Sequence, residues 1–551
     1  MANDSTFIVN GLRIPWGMIS EEVEGLYSST ILSEFRDIIG YYDIYENGAP
    51  FTPENKKADF KSSDLHFKEA RKLINKEARF LFSKHPDVWV EVPIDKETAS
   101  EQQKKEVKQK SSIYQSYINS IIKNTGFFSK LVKAAKDCFI GKRIAWFVNF
   151  DEVKQKITID FIPSLEFIFE TDETDINKLT KIVAFYTVLD SDNKAEQVIY
   201  KKKYWLDENT NICWINEALY DGLGNLKEEL IPERPTLFEG VIPAGVIIND
   251  GLTGDLDGIS EIEELSDSES WYSRINNGDI DSERSGMNPI RYAIDINPNT
   301  TKDLSIAPGA FWDLSSDPNS PDGSTGSVGM METSLGYSSA VDSTLKRIRA
   351  SMYESIDMPD ISAESMQGVV TSGKTLKAIY WSLIVRCEEK MLAWRPAIEQ
   401  IVRILISGGK LYPKAAEVYL DGFTLPDDEY EVTIDNQYPI PDDEADEKTI
   451  DLQEVNAQTM SRMSYMKKWR NLTDSEAMAE LQQIAMEREL LESSYSLTPP
   501  IDRSDEQDAQ DDTQDDTQDN NEEMDQEQSQ DDTQGDTPTD DEQADTDKQE
   551  Q

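Results

Sequence analysis

Two hydrophobic periods alternate along the chain, and the switch between them divides it. From Ile19 to Tyr42 the apolar residues Val23, Tyr27, Ile31, Phe35 and Ile38 recur at three-to-four spacing, which places one stripe on one face of a helix. The same spacing predicts helices over Phe67 to Ser83 and over the lysine-rich stretch Lys104 to Asp137. From Arg143 the period falls to two. Ala145 to Val148, Lys156 to Phe161, Leu165 to Phe169, Ile182 to Val188 and Val198 to Trp205 read as strands separated by Asn and Gly turns. The pattern predicts an α+β domain with one antiparallel sheet, closing near Ile247 and Ile248.

The helical period then returns. Ile259, Ile262, Leu265, Tyr272 and Ile275 give a helix with one apolar stripe and an opposite face of Glu and Asp, capped at Asp257 or Ser260. Gly286 to Ser339 is rich in Gly, Pro and Ser, with short apolar pieces at Arg291 to Ile296 and Ala310 to Trp312. A return helix carries Val341, Leu345, Ile348, Met352 and Ile356 on one side. An insertion between two one-striped helices predicts a hairpin that packs sideways against neighbours, with a small subdomain at its far end. The longest predicted helix, Thr375 to Ile406, spans about 50 Å at ~1.5 Å per residue. Pro396 removes one of its backbone donors and predicts a kink. Two strands are expected between Leu411 and Ile434. A helical pair follows at Leu452 to Met466 and Asp474 to Leu491, the second capped by Thr473 or Asp474.

Charge changes this picture. The 551 residues hold 55 basic and 106 acidic side chains, a formal charge of −51. Asp502 to Gln551 alone contributes 22 acids against Arg503 and Lys548, and the body keeps −31. A body this acidic does not wrap DNA by neutralising its phosphates, although it can surround DNA without gripping it. The tail repeats Asp-Asp-Thr-Gln, holds almost nothing apolar and is predicted to be disordered. It reads either as a solubilising tail or as an electrostatic decoy for a basic partner. Cys138, Cys213 and Cys387 have no disulfide or metal spacing, which fits a reduced site of synthesis. The N-terminus lacks a basic signal-peptide start, and no apolar run reaches the ~20 residues of a membrane span. With only His66 and His85, both expected on the surface or in loops, histidine metal sites and Ser-His-Asp triads are nearly excluded. No cofactor is implied.

Two motifs carry candidate chemistry. Gly368-Val369-Val370-Thr371-Ser372-Gly373-Lys374-Thr375 fits the phosphate-binding pattern G-x-x-x-x-G-K-[ST] without a mismatch. A helix follows it, but the polar run Asp357 to Gln367 before it offers no strand. The best downstream Mg²⁺-holding strand is Val432-Thr433-Ile434-Asp435, an ordinary alternation. The competing reading is a small-residue loop capped by Ser372 or Gly373. Thr253 to Glu264 nearly fits a calcium loop, but Thr253 replaces the first carboxylate and Ser260 stands where an aliphatic residue belongs.

Taken in order, the segments resemble the portal proteins of tailed bacteriophages, of the siphophage type. Local sequences carry the likeness: Ile38-Ile39-Gly40-Tyr41-Tyr42, Ile162 to Ile168, Gly258-Ile259-Ser260-Glu261-Ile262, Ser372 to Lys377, and Thr459-Met460-Ser461 leading to Glu487-Arg488-Glu489. The resemblance covers Ile19 to Leu491. It implies a wing, stem, clip and crown architecture. Residues 1–255 map onto the wing, completed by the long helix and strands of 375–451. Residues 256–286 and 340–357 map onto the stem helices, 287–339 onto the clip, 358–374 onto a tunnel loop and 452–500 onto the crown. The acidic tail at 501–551 departs from the family pattern.

The same resemblance implies a dodecameric ring at one capsid vertex, the channel for genome packaging and ejection. Its partners would be the terminase motor, a head-completion adaptor, major capsid and scaffolding proteins, and double-stranded DNA passing through without sequence readout. The protein would be made in the host bacterial cytoplasm, reside in the virion and have no membrane role. Tunnel-loop candidates facing DNA are Ser365, Gln367, Val369, Val370, Thr371 and Lys374; Lys374 either forms a weak basic ring or pairs with a carboxylate. Glu261, Glu264 and Asp267 are candidates for an acidic stem lumen that repels and centres the duplex. Arg291, Phe311 and Trp312 are candidates for terminase or adaptor contact at the clip. An enzyme is not expected. The rival readings are a P-loop NTPase using Gly368 to Thr375 and an acidic chaperone-like binder acting through its tail.

Overall fold

The computed structural model describes residues 6–9, 12–15, 18–19, 21–23, 27–52, 61–94, 100–189, 197–252, 254–287, 290–296, 326–331, 336–360, 373–440, 444–470, 472 and 474–495. The chain divides into two compact units, Met1–Ile450 and Asp451–Gln551. In the first, a hairpin of β1 (Thr6–Val9) and β2 (Leu12–Pro15) precedes α1 (Tyr27–Asn47), α2 (Glu69–Phe82), β3 (Asp87–Glu91), α3 (Glu101–Thr125) and α4 (Phe127–Gly141). Eight strands follow: β4 (Arg143–Asp151), β5 (Lys156–Pro163), β6 (Phe167–Thr171), β7 (Leu179–Leu189), β8 (Gln197–Leu206), β9 (Ile212–Tyr220), β10 (Leu226–Glu239) and β11 (Ala244–Ile248). The remaining elements of this unit are α5 (Glu261–Met287), β12 (Ile290–Ile294), β13 (Ser327–Met331), α6 (Ser338–Ser355), α7 (Gly373–Ile379), α8 (Trp381–Leu411), α9 (Pro413–Ala416) and β14 (Glu431–Asp435). The helix α10 (Glu444–Asn456) leads into the second unit, which holds α11 (Arg462–Arg470) and α12 (Asp474–Tyr495).

Local chemistry sets several boundaries. Ser100 opens α3 with a reciprocal cap: its hydroxyl accepts the Gln103 N–H at 3.3 Å, and its own N–H donates to the Gln103 side chain at 2.9 Å. Gly126 ends α3 at φ 62, so the single helix expected over Lys104 to Asp137 is two. The helix expected from Ile19 starts at Tyr27 instead, after a turn at residues 21–23. The longest helical stretch breaks at Tyr380, with φ −89 and ψ 6. From there α8 runs unbroken through Pro396, which lies on an exposed face where water can take up the carbonyl left without a donor. Between Leu411 and Ile434 one strand forms, not two; the first half is α9 and a 3₁₀ turn at Glu417–Tyr419.

The single sheet read from the sequence is two. One has the order β10-β9-β8-β7-β6 and the other β11-β4-β5, and β14 pairs with β3 across more than 300 residues of chain. The strands β9 and β10 went unread; β10 is almost wholly exposed and carries two prolines. The larger buried cluster among the described residues surrounds Trp146, Trp394, Phe82, Phe139 and Phe167, with α8 running through it, and a smaller one gathers Phe35 and Ile38 of α1 against Val183, Phe185 and Ile199 of the five-stranded sheet. Of the helical pair read from the sequence, the second member is α12, while the first, expected over Leu452 to Met466, is broken between Asn456 and Arg462. Asp451 accepts the Trp469 indole N–H and the Lys468 ammonium, each at 2.8 Å, and Arg470 meets Glu480 at 2.9 Å.

Candidate functional site

The root of α5 is where the chain commits charged groups to its interior. Gly258 turns the backbone at φ +72, and a Cβ there would meet the carbonyl oxygens of Lys142 at 2.6 Å and Asn249 at 2.8 Å, so only glycine fits. Two residues on, the Ser260 hydroxyl accepts the Ile262 N–H at 3.2 Å and donates to the Ile140 carbonyl at 2.7 Å. Ser260 is thus the cap and also pins the helix start to α4. Asp255 and Asp257 are spent locally: Asp255 accepts the Asp257 N–H at 2.9 Å, and Asp257 lies 3.5 Å from Arg143.

The first turn of α5 carries Glu261, Glu263 and Glu264 at the positive end of the helix dipole. Glu261 turns inward and is 3% exposed. Its carboxylate takes the Arg386 guanidinium and the Lys390 ammonium from α8, and the Asn249 amide at 3.3 Å. Lys390 also donates to the Asn249 side-chain oxygen at 3.0 Å. Glu77 of α2 completes the cluster, 3.0 Å from Arg386 and 3.6 Å from Lys390. Burial alone raises both carboxyls. For Glu261 the two cations outweigh it and hold the group below its ordinary value, whereas for Glu77 burial and the Glu261 charge hold the group above it. Glu261 therefore leaves the set of lumen candidates: it is a buried latch tying α5 to α2 and α8.

Glu264 and Asp267 are exposed on the far side of α5, with Trp271 a turn further along at 54% exposed. Burial and then the Glu261 charge raise the Glu264 carboxyl. The inner face of α5 is polar below its first two turns. Glu269, Ser273 and Asn277 are buried there, where the sequence predicted the stripe to continue through Tyr272 and Ile275. These side chains bond to the backbone of residues 63–70. Glu269 accepts the Ala70 N–H at 3.3 Å, Asn277 bridges both backbone groups of Leu65 at 2.8 and 2.7 Å, and Asp281 accepts the Ser63 N–H at 3.0 Å. Burial pushes Glu269 up to about 7.

The helix α6 returns packed along α5, and the β12–β13 hairpin joins them with Arg291 opposite Met330. Phe311 and Trp312 lie outside the described residues, as do Ser365, Gln367, Val369, Val370 and Thr371. Lys374 stands in the first turn of α7. The P-loop reading needs a parallel sheet to seat its strand, but β14, the strand that would supply Asp435 to a magnesium ion, is antiparallel to β3. Every strand pair among the described residues is antiparallel. All three cysteines are buried and free. Among the described residues no helix is long and apolar enough to cross a membrane.

The sequence profile of the family "Phage portal protein, SPP1 Gp6-like" matches residues 28–494. The chain belongs to that family. Membership makes it a tailed-phage portal protein, a structural head-to-tail connector of the bacteriophage virion. A search of curated proteins returns no match. Within the portal chain, the residues that sequence reasoning missed are Glu77, Asn249, Arg386 and Lys390. One signal was present: Lys390 interrupts the apolar stripe Cys387, Met391, Trp394 of α8, and a cation in such a place needs a buried anion.

Proposed function

We propose that the portal chain assembles as a dodecameric ring at one capsid vertex and forms the channel through which the genome is packaged and ejected. The observation that carries this reading is the family match from residue 28 to 494, which runs through every segment the architecture needs. Residues 256–286 and 340–357 serve as the stem, 287–339 as the clip where the terminase motor and later a head-completion adaptor dock, 358–374 as the tunnel loop and 452–500 as the crown. Two features support a passive conduit. The chain carries −51, so its walls repel phosphate and let a duplex slide in both directions. The buried latch at Glu261 gives α5 a fixed root, which a load-bearing stem requires. Negative-stain microscopy and native mass measurement of the purified full chain test the reading. Twelve-fold rings with a central hole are the expected result, and monodisperse monomers alone would overturn it.

A further inference from the structure

In a chain of net charge −51, one face gathers basic side chains. The exposed stripe of α2 is Lys72, Lys76 and Arg79, continued by Ser83 just past its end, and Lys133 and Lys136 of α4 lie beside it. Lys72 is paired with Glu69. Lys76, Arg79, Lys133 and Lys136 make no ion pair with any described residue. The Lys136 ammonium is lowered by partial burial, and the charges of Arg79, Arg71 and Lys133 push the same way, against the opposing pull of Asp137. Lys76 donates to the Tyr353 hydroxyl at 3.2 Å, so these four like charges, with Asp137 the one opposing charge on Lys136, leave a repulsion that an acidic partner would relieve.

The basic face borders a cleft of about 400 Å³. Lys76 and Arg79 form its rim, and Phe80, Met358, Tyr380 and Leu383 line its wall. Phe80 stacks on Tyr380 with ring centroids 5.4 Å apart. This is an apolar slot with a cationic edge. Its chemical complement exists on the same chain. Trp271 stands exposed on α5, with Glu264 two turns and Asp267 one turn before it on the same face. At about 100° per residue, Trp271 lies roughly 160° round the helix from Glu269 and Ser273, the residues that meet the start of α2. The stripe therefore points away from the basic face of its own chain.

We propose that the basic face of α2 and α4, with its cleft, receives the Glu264–Asp267–Trp271 stripe of α5 from a second copy of the chain. The inference rests on the ring reading and adds which surfaces meet. Two different patches pairing copy to copy make a heterologous contact, the type that closes into a ring when its rotation closes. A tryptophan seated in a slot with charges at the rim is the composition of an interface anchor. In this pairing Glu264 and Asp267 face a neighbour, and the repulsive wall of the channel falls to other carboxylates. DNA fits the cleft less well, because the surrounding body repels phosphate and the slot's floor is apolar.

Two full-length charge-reversal variants test it. One carries Arg79→Glu, Lys133→Glu and Lys136→Glu; the other carries Glu264→Lys and Asp267→Lys. All five positions are at least partly exposed, and circular dichroism and melting confirm that each variant is folded. Native mass measurement should show that each alone needs about tenfold more protein or higher to assemble than the wild type. An equimolar mixture should recover assembly, because each reversed face then meets its reversed complement. Wild-type assembly by either variant alone, or a folded mixture that stays dissociated, overturns the pairing. Unchanged assembly with loss of binding to a double-stranded DNA fragment assigns the face to nucleic acid and also overturns it. A wild type that forms no rings refutes the ring reading itself, a separate result. Should a variant fail to fold, Ser83→Cys with Ser268→Cys, which keeps Trp271, decides: oxidised rings should give a ladder of cross-linked copies, since the native cysteines are buried, and rings without a ladder exclude the contact.

Discussion

Glu261 and Glu77, both buried, share two cations, and that arrangement sets the effect of a single atom exchange. Glu261→Gln leaves Lys390 and Arg386 with half their counter-charge in a buried site, a change expected to cost about 3–5 kcal/mol. Urea unfolding of the portal chain measures it. Other buried carboxyls respond in the opposite sense. Burial, with Asp137 nearby, raises Glu166 to about 7, and burial raises Asp137 to about 6 against the Tyr42 hydroxyl bonded to it at 3.2 Å. A carboxyl whose folded value lies above its unfolded one adds stability at low pH and loses it as pH rises through the folded value. Glu166→Gln should therefore stabilise on the order of 2–3 kcal/mol at pH 8 and leave stability unchanged near pH 4, read from denaturation at the two pH values. None of these groups was legible in the sequence. Each acid looks like any other of the 106 until the fold decides which ones lose water.

At the scale of elements, α5 shows where periodicity stops being sufficient. Ile262 and Leu265 were read correctly as buried, because an apolar residue at helical spacing has few alternatives to the core. Ser273, Asn277 and Asp281 were not, because they are held by backbone groups of residues 63–65 and Phe67, some 200 positions away. Capping chemistry was legible: Ser260 was among the predicted caps and is the one the helix uses. The αL hinge before it was not. Gly258→Ala should destabilise on the order of 2–4 kcal/mol, since the added methyl meets two backbone carbonyls at a positive φ. Hydrogen exchange should speed up first in the opening turns of α5, ahead of the rest of the first unit.

For the whole molecule, the family match fixes the kind of protein and leaves the assembly to be measured. Removing residues 502–551 takes the net charge from −51 to −31 and should leave ring formation intact, as native mass measurement would show. A tail that acts as the functional centre of an acidic binder would instead abolish the activity with its loss. The purified chain should turn over no ATP above background, and Lys374→Ala should not alter that rate in a coupled phosphate-release assay. Turnover that depends on Lys374 would revive the nucleotide reading of Gly368 to Thr375.

By itself the sequence determined the class of fold, the helix–insertion–helix order and the portal likeness, because apolar periodicity and segment order survive without knowledge of distant contacts. It also determined the charge, which bears on DNA wherever the carboxylates fall. Only the tertiary structure decided that the strands form two sheets, that the long helix breaks at Tyr380 and that Glu261 is a latch. Strand pairing and the burial of charge are settled by partners far along the chain: β14 finds β3, and Glu261 finds Lys390 129 positions later. A one-dimensional pattern records which residues prefer to be dry. The competition among all of them for one interior decides which are.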